Sequence, residues 1–136
     1  PGSITYSQSS VYGTNSAATN AGMTNGSFAE SYQTATNFDT GSVSWIQMDL
    51  GSVNVVASVV IGCDFSNTLA GGWGKGYTEG RIVEYSTDGS SWTAAFTVPT
   101  LTAGITSFSV SFSARYVRIR TPSTSQFVAV TEFYVT

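Results

Sequence analysis

The chain has 136 residues, which sets a single domain with room for a real hydrophobic core. Charged residues make up 10% of it, against 13% aromatic and 41% hydrophobic, and this balance excludes a disordered polyelectrolyte. The net charge is −3, and the only cations are Lys75, Arg81, Arg115, Arg118 and Arg120, too few to neutralise nucleic-acid phosphates or an anionic membrane surface.

Histidine is absent, which removes Ser-His-Asp and Cys-His nucleophilic machinery and nearly all zinc catalysis. Cys63 is the only cysteine, so no internal disulfide can form. It ends the apolar run Val59-Val60-Ile61-Gly62-Cys63 and reads as a buried core thiol. No apolar run reaches the roughly 20 residues that would span a bilayer. A surface supplied by Ser, Thr, Asn and Gly rather than by charge points to an extracellular or cell-surface setting. Pro1-Gly2-Ser3 reads as a cleavage scar of an expression tag, leaving residues 4–136 as the domain.

Ile4 to Ser10 is the predicted opening strand. Residues 13–44 follow, rich in Asn, Thr, Gly and Ser, and a structureless loop of that length is unusual in a compact domain. Short strands or turns pinned by Phe28, Tyr32 and Phe38 are therefore expected there. Trp45 to Leu50 alternates apolar and polar side chains and stops at Gly51, and Val55 to Cys63 is a β-branched run expected to be covered on both faces. Residues 66–80 form a glycine-rich loop. Arg81–Ser86 and Trp92–Val98 are predicted strands joined through Ser86-Thr87-Asp88-Gly89-Ser90, a hairpin signal. In the first of them Val83 and Tyr85 should face inward and Glu84 should face water.

Beyond Pro99, Phe108, Val110 and Phe112 alternate with Ser107, Ser109, Ser111 and Ser113. Val117 and Ile119 then oppose Arg118 and Arg120, which read as a solvated outer face. Val128 to Val135 is the predicted last strand. Many short strands separated by turn signals, with no sustained 3.6-residue period, predict an all-β, single-domain sandwich or barrel.

Four segments resemble a known family. Ser44-Trp45-Ile46-Gln47-Met48-Asp49-Leu50-Gly51 resembles the tryptophan-glutamine-aspartate-leucine-glycine signature of discoidin domains. Tyr85-Ser86-Thr87-Asp88-Gly89-Ser90-Ser91-Trp92 is similar to the family's aspartate-glycine hairpin, and Ala114-Arg115-Tyr116-Val117-Arg118-Ile119 to its following strand. Val130-Thr131-Glu132-Phe133-Tyr134-Val135 resembles the closing strand. The superfamily includes the coagulation-factor type C domains and the family 32 carbohydrate-binding modules. The resemblance implies a jelly-roll β-sandwich with ligands, usually galactose-type sugars, bound by loops at one end.

Under that reading the glycine-rich loop is the candidate ligand site, because Trp73 and Tyr77 stand among residues with no side chains to shield them. An aromatic ring can take the apolar face of a sugar, and Lys75, Glu79 and Arg81 can meet its hydroxyls. The competing reading makes Trp73 a plug and Arg81 a partner of Glu79 or Glu84. Phe127 occupies a place where the family often has a stacking aromatic. Many relatives use an early-loop histidine that this chain lacks, and Tyr32 or Phe38 is the candidate for that corner.

The resemblance also implies a structural Ca²⁺ held by backbone carbonyls, an early aspartate turn and a glutamate near the C-terminus. Glu132 matches the glutamate, and Met23-Thr24-Asn25-Gly26-Ser27 resembles the turn with Asn25 in place of Asp. Calcium takes roughly six to eight oxygen ligands, carboxylates preferred, so Glu30 would have to compensate for the neutral Asn25.

The expected role is a non-catalytic, lectin-like module for a glycan, which gains avidity if several copies act together, as in a homo-oligomer. A protein-interaction or adhesion role on the same fold stays open. A membrane-surface role lacks the cations and the disulfide of phospholipid-binding relatives. A glycosidase would need two carboxylates flanking a cleft, and Asp64 with Glu79 is the only pair near the loop.

Overall fold

The computed structural model describes residues 4–10, 34–35, 43–65, 74–124 and 126–136. Among the described residues eight strands are defined: β1 Thr5–Gln8, β2 Thr34–Ala35, β3 Trp45–Gly62, β4 Ile82–Ser86, β5 Thr93–Thr97, β6 Ile105–Arg120, β7 Ala129–Val130 and β8 Glu132–Val135. All named pairings are antiparallel, and the chain is an all-β sandwich.

Two long strands generate both layers. The first part of β3, Trp45 to Asp49, lies between β1 and the end of β6, which continues the sheet to β4 and then β5. The second part of β3, Asn54 to Gly62, pairs with the start of β6 on one side and with β8 on the other. The expected stop at Gly51 does not occur. Gly51 instead takes φ +81°, open to glycine and strained for other residues, and the chain passes through an irregularity between Asp49 and Asn54 without ending the strand.

A second shift falls between Val56 and Ser58. Across these irregularities the inward set changes from Ile46, Met48 and Leu50 to Val59, Ile61 and Cys63, because a one-residue slip exchanges the faces of a strand. Strand β6 does the same, from Phe108, Val110 and Phe112 to Val117 and Ile119. Both halves thereby point apolar side chains at one core, joined by Val83, Val98, Leu101, Phe133 and Val135. Full coverage of both faces of β3 begins only at Val59, and Val55 is 79% exposed.

Cys63 is buried as expected. Desolvation, reinforced by the carboxylates of Glu79 and Asp64, pushes its thiol up to about 11.

The outer face of β4 and β6 departs from expectation. Glu84 is only 4% exposed, although strand alternation sends it outward. Arg118 Nε lies 2.5 Å from Glu84 Oε1 and Arg120 Nε 2.9 Å from Oε2, so one carboxylate holds both arginines. The Arg118 guanidinium also lies over the Trp92 ring at 3.9 Å and near Trp45 at 5.9 Å. That face is a packed polar layer. The reading of Glu84, Arg118 and Arg120 as simply solvated is corrected.

Candidate functional site

A parallel bridge joins Asp64, just before the glycine-rich loop, to Gly74 within it. From there Lys75–Tyr77 form one 3-10 turn, and Gly80 follows at φ +77°, which again favours glycine. The Gly80 N–H donates to the Val98 carbonyl at 2.8 Å, and the Val98 N–H donates to Arg81 at 2.8 Å. The turn is thus clipped to the residue that follows β5.

Beneath it runs the segment that leads into β7. Thr78, fully buried, donates its hydroxyl to the Ala129 carbonyl at 2.5 Å. Arg81 is 8% exposed, and its Nε and Nη2 both donate to the Phe127 carbonyl, at 3.2 and 2.6 Å. Its Nη1 donates to the carbonyls of Gly76 and Glu79. Burial lowers the Arg81 pKa from its ordinary value, but a guanidinium keeps its charge in proteins. The side chain works as a clamp between two backbone segments.

Tyr77 and Phe127 are brought together, stacked with centroids 4.4 Å apart and planes 17° from parallel. Their roles differ. Phe127 is 7% exposed and lies beneath, while Tyr77 is 37% exposed and forms the outer ring. Lys75 points along the same end of the sandwich. Its Nζ lies 3.3 Å from Glu79 Oε2, donates to the Leu101 carbonyl at 3.2 Å and stands 5.2 Å from the Phe65 ring centre. Glu79 Oε2 accepts the Leu101 N–H at 2.6 Å, which fixes the acid as well as the base.

Phe65, 39% exposed, was not singled out by sequence reasoning. The available signal was an aromatic placed where the β-branched run of β3 gives way to glycine-rich loop. Trp73, Tyr32 and Phe38 lie outside the described residues, as do Asn25, Ser27 and Glu30.

Glu132 is fully buried at the start of β8. Gly62 makes room for it, since a Cβ there would stand 2.7 Å from Glu132 Cβ and from Thr131 Oγ1. The buried Thr131 Oγ1 has no hydrogen-bond partner among the described residues. Burial, with the nearby Glu132 charge adding to it, raises the Tyr6 pKa well above its ordinary value. Among the described residues, no group of three or more His, Cys, Asp or Glu side chains gathers as a metal cluster. No helix of the described residues is long and apolar enough to cross a membrane.

The arrangement offers an exposed ring, a neighbouring ammonium and a fixed carboxylate on a rigid turn. The family model described as F5/8 type C domain matches residues 3–133. No curated protein matches the chain. Among solved structures, a Streptococcus pneumoniae fucose binding module is 20% identical, with TM-score 0.74 over 96% of this chain and 88% of that one. CpGH89CBM32-5 from Clostridium perfringens, in complex with GalNAc-β-1,3-galactose, is 13% identical, with TM-score 0.69 over 97% of this chain and 94% of its own. A fucolectin from striped bass (Morone saxatilis) serum is 21% identical, with TM-score 0.73 over 97% of this chain and 46% of that one.

Proposed function

The chain belongs to the F5/8 type C domain family, and from that premise we propose that it is a non-catalytic carbohydrate-binding module for extracellular glycans, with a galactose-type sugar held at the 74–81 end of the sandwich. The observation that carries this reading is the Tyr77 ring, partly exposed and backed by the buried Phe127. A backed ring is an immobile platform for the apolar face of a sugar, and little conformational entropy is lost when it is used. Lys75 and Glu79 stand beside it as donor and acceptor for hydroxyls. Phe65 adds a second apolar surface. Arg81 and Phe127 act by holding the turn rather than by touching the ligand.

Three of the similar structures name fucose, N-acetylgalactosamine or galactose, which share the galacto arrangement of ring hydroxyls and support this choice of sugar, while others name chitosan and 4,5-unsaturated mannuronic acid. A glycan array tests it. The expected result is a signal confined to glycans ending in a galacto-configured sugar, weakened about tenfold, on the order of 1.4 kcal/mol, by Tyr77→Ala. A blank array, or a signal indifferent to Tyr77→Ala, overturns the proposal.

A calcium ion is proposed at Glu132. Glu132 is a fully buried carboxylate, the Thr131 hydroxyl oxygen packs with it against Gly62, and calcium takes oxygen ligands of both kinds. Bound there, calcium would neutralise Glu132 and tie β8 to whatever completes the donor set, for which Asn25, Ser27 and Glu30 are the candidates. Chelation should lower the melting temperature, and calcium should restore it. An unchanged melting curve overturns the assignment.

A further inference from the structure

The first half of β6, Ile105 to Ala114, pairs with β3 on one side and with no other strand among the described residues. Alternate residues of this stretch therefore turn N–H and C=O groups away from the sheet, and such an edge is a template for another strand. A register shift in the pairing with β3 lies opposite it, between Val56 and Ser58. Exposure nevertheless alternates without a break from Ser107 to Ser113, so the pleat of the edge is regular.

Edges are commonly blunted by a lysine, a proline or an inward charge. Ser107 to Ser113 contains none of these. Beside it runs an open groove of about 620 Å³, lined from the other layer by Ala94, Ala95, Phe96 and Thr97 of β5, and no residue lining the groove is charged. Phe108, Val110 and Phe112 border that groove and pack against the core. The groove is thus the space that the inward side chains of one further strand would fill.

The sequence identifies a strand that fits. Ser107-Phe108-Ser109-Val110-Ser111-Phe112-Ser113 reads the same in both directions. We propose that this edge pairs with the same edge of a second copy of the chain, antiparallel about a two-fold axis at Val110. A two-fold interface requires that residue i meet residue j and j meet i, and a palindrome then sets like against like at every position. Phe108 lies opposite Phe112 of the second copy, Ser109 opposite its Ser111 and Val110 opposite its own counterpart. Directly opposed residues point to the same face, about 4.5–5.5 Å apart. The rings of each copy therefore enter the groove of the other, and the serines meet on the outer face. No like charges are brought together, although each copy carries a net charge of −3. The neighbouring edge, Thr93–Thr97 of β5, has neither the symmetry nor an unbroken register. The inference rests on the β6 edge alone and not on sugar binding at Tyr77.

Sedimentation velocity of the whole domain from about 10 µM to about 1 mM, with amide exchange at both ends of that range, tests it. The mass should rise towards twice that of one chain. Amides within 107–113 should exchange more slowly as concentration rises, and those of 93–97 should not. Two double variants at exposed positions fix the register. Ser109→Lys with Ser111→Lys sets like charges opposite each other and should weaken association about tenfold or more. Ser109→Lys with Ser111→Glu sets opposite charges there and should associate at least as tightly as the parent. Both should melt with the parent at the lowest concentration. A parent that stays monomeric throughout overturns the proposal, whatever the glycan array shows. Association that protects amides other than 107–113 overturns it as well. The same holds if the two double variants associate equally.

Discussion

Arg81 joins two segments 46 residues apart by giving two donors to one carbonyl, that of Phe127. Its third nitrogen holds Gly76 and Glu79. The exposed face of Tyr77 is set by this contact, because the turn that carries Tyr77 and the segment that carries Phe127 meet through one planar cation.

Arg81→Lys keeps the charge and loses the fork, since a single ammonium cannot reach both segments. The expected loss of stability is about 1–3 kcal/mol, read from the urea midpoint. Amide exchange should quicken at residues 76–81 and leave β3 unchanged. Exchange that stays as in the parent would mean that the guanidinium does not hold the turn.

Glu84→Gln should be more damaging than an ordinary outward-facing change. It leaves Arg118 and Arg120, both half-buried, without their shared carboxylate. Solvent reaches both arginines in part, so the expected cost is about 1–3 kcal/mol rather than that of a fully buried pair. The fluorescence of the domain should change as well, because Arg118 is held over Trp92. Denaturant unfolding followed by tryptophan emission reads both effects.

Acid should destabilise the domain through two carboxylates. Arg115, hydrogen-bonded to Asp49, holds that carboxyl below its ordinary value of 3.8. The Ser91 and Ser90 N–H groups, with the Ser86 hydroxyl, do the same for Asp88. A depressed folded-state pKa stabilises above the unfolded value and ceases to do so as pH falls through the folded one. Melting temperature should therefore be flat from about pH 5 to 8 and fall below about pH 4. Asp88→Asn should shrink the acid-induced drop. An identical drop in the variant would rule Asp88 out as a contributor.

Cys63 should not react with a thiol reagent at pH 8 in the native state. It is 1% exposed, its thiol is raised to about 11, and the thiolate is the reactive form. Full reaction is expected in guanidinium chloride. The labelling rate at rising denaturant then reports opening of the core around β3.

Strand alternation located β1, β4, β5 and β6 from sequence, and it put Ile46, Met48, Val117 and Ile119 on the buried side. It failed at Gly51 because a glycine signals a positive φ but not what the chain does with it, and here β3 continues. Glu84 was misread for a related reason. Alternation tells which face a residue occupies, not what covers that face, and the cover comes from Arg118, Arg120 and the hairpin carrying Trp92. At the candidate site Lys75, Tyr77, Glu79, Arg81 and Phe127 were all legible as chemistry. Their division into exposed and supporting roles was not, because it rests on the Arg81–Phe127 contact, which no local spacing encodes.

Strands β3 and β6 each pass from one layer into the other, and this governs how the domain comes apart. Neither layer owns a complete set of strands, so neither can melt while the other persists. Unfolding is expected to be a single cooperative event, with amide protection at Met48 and Ile61 lost together. Folding carries the matching burden. The pairing of β3 with β6 closes a loop from Gly62 to Ile105 before most of the core can assemble. The barrier is therefore set by high contact order, and the domain should form slowly and all at once.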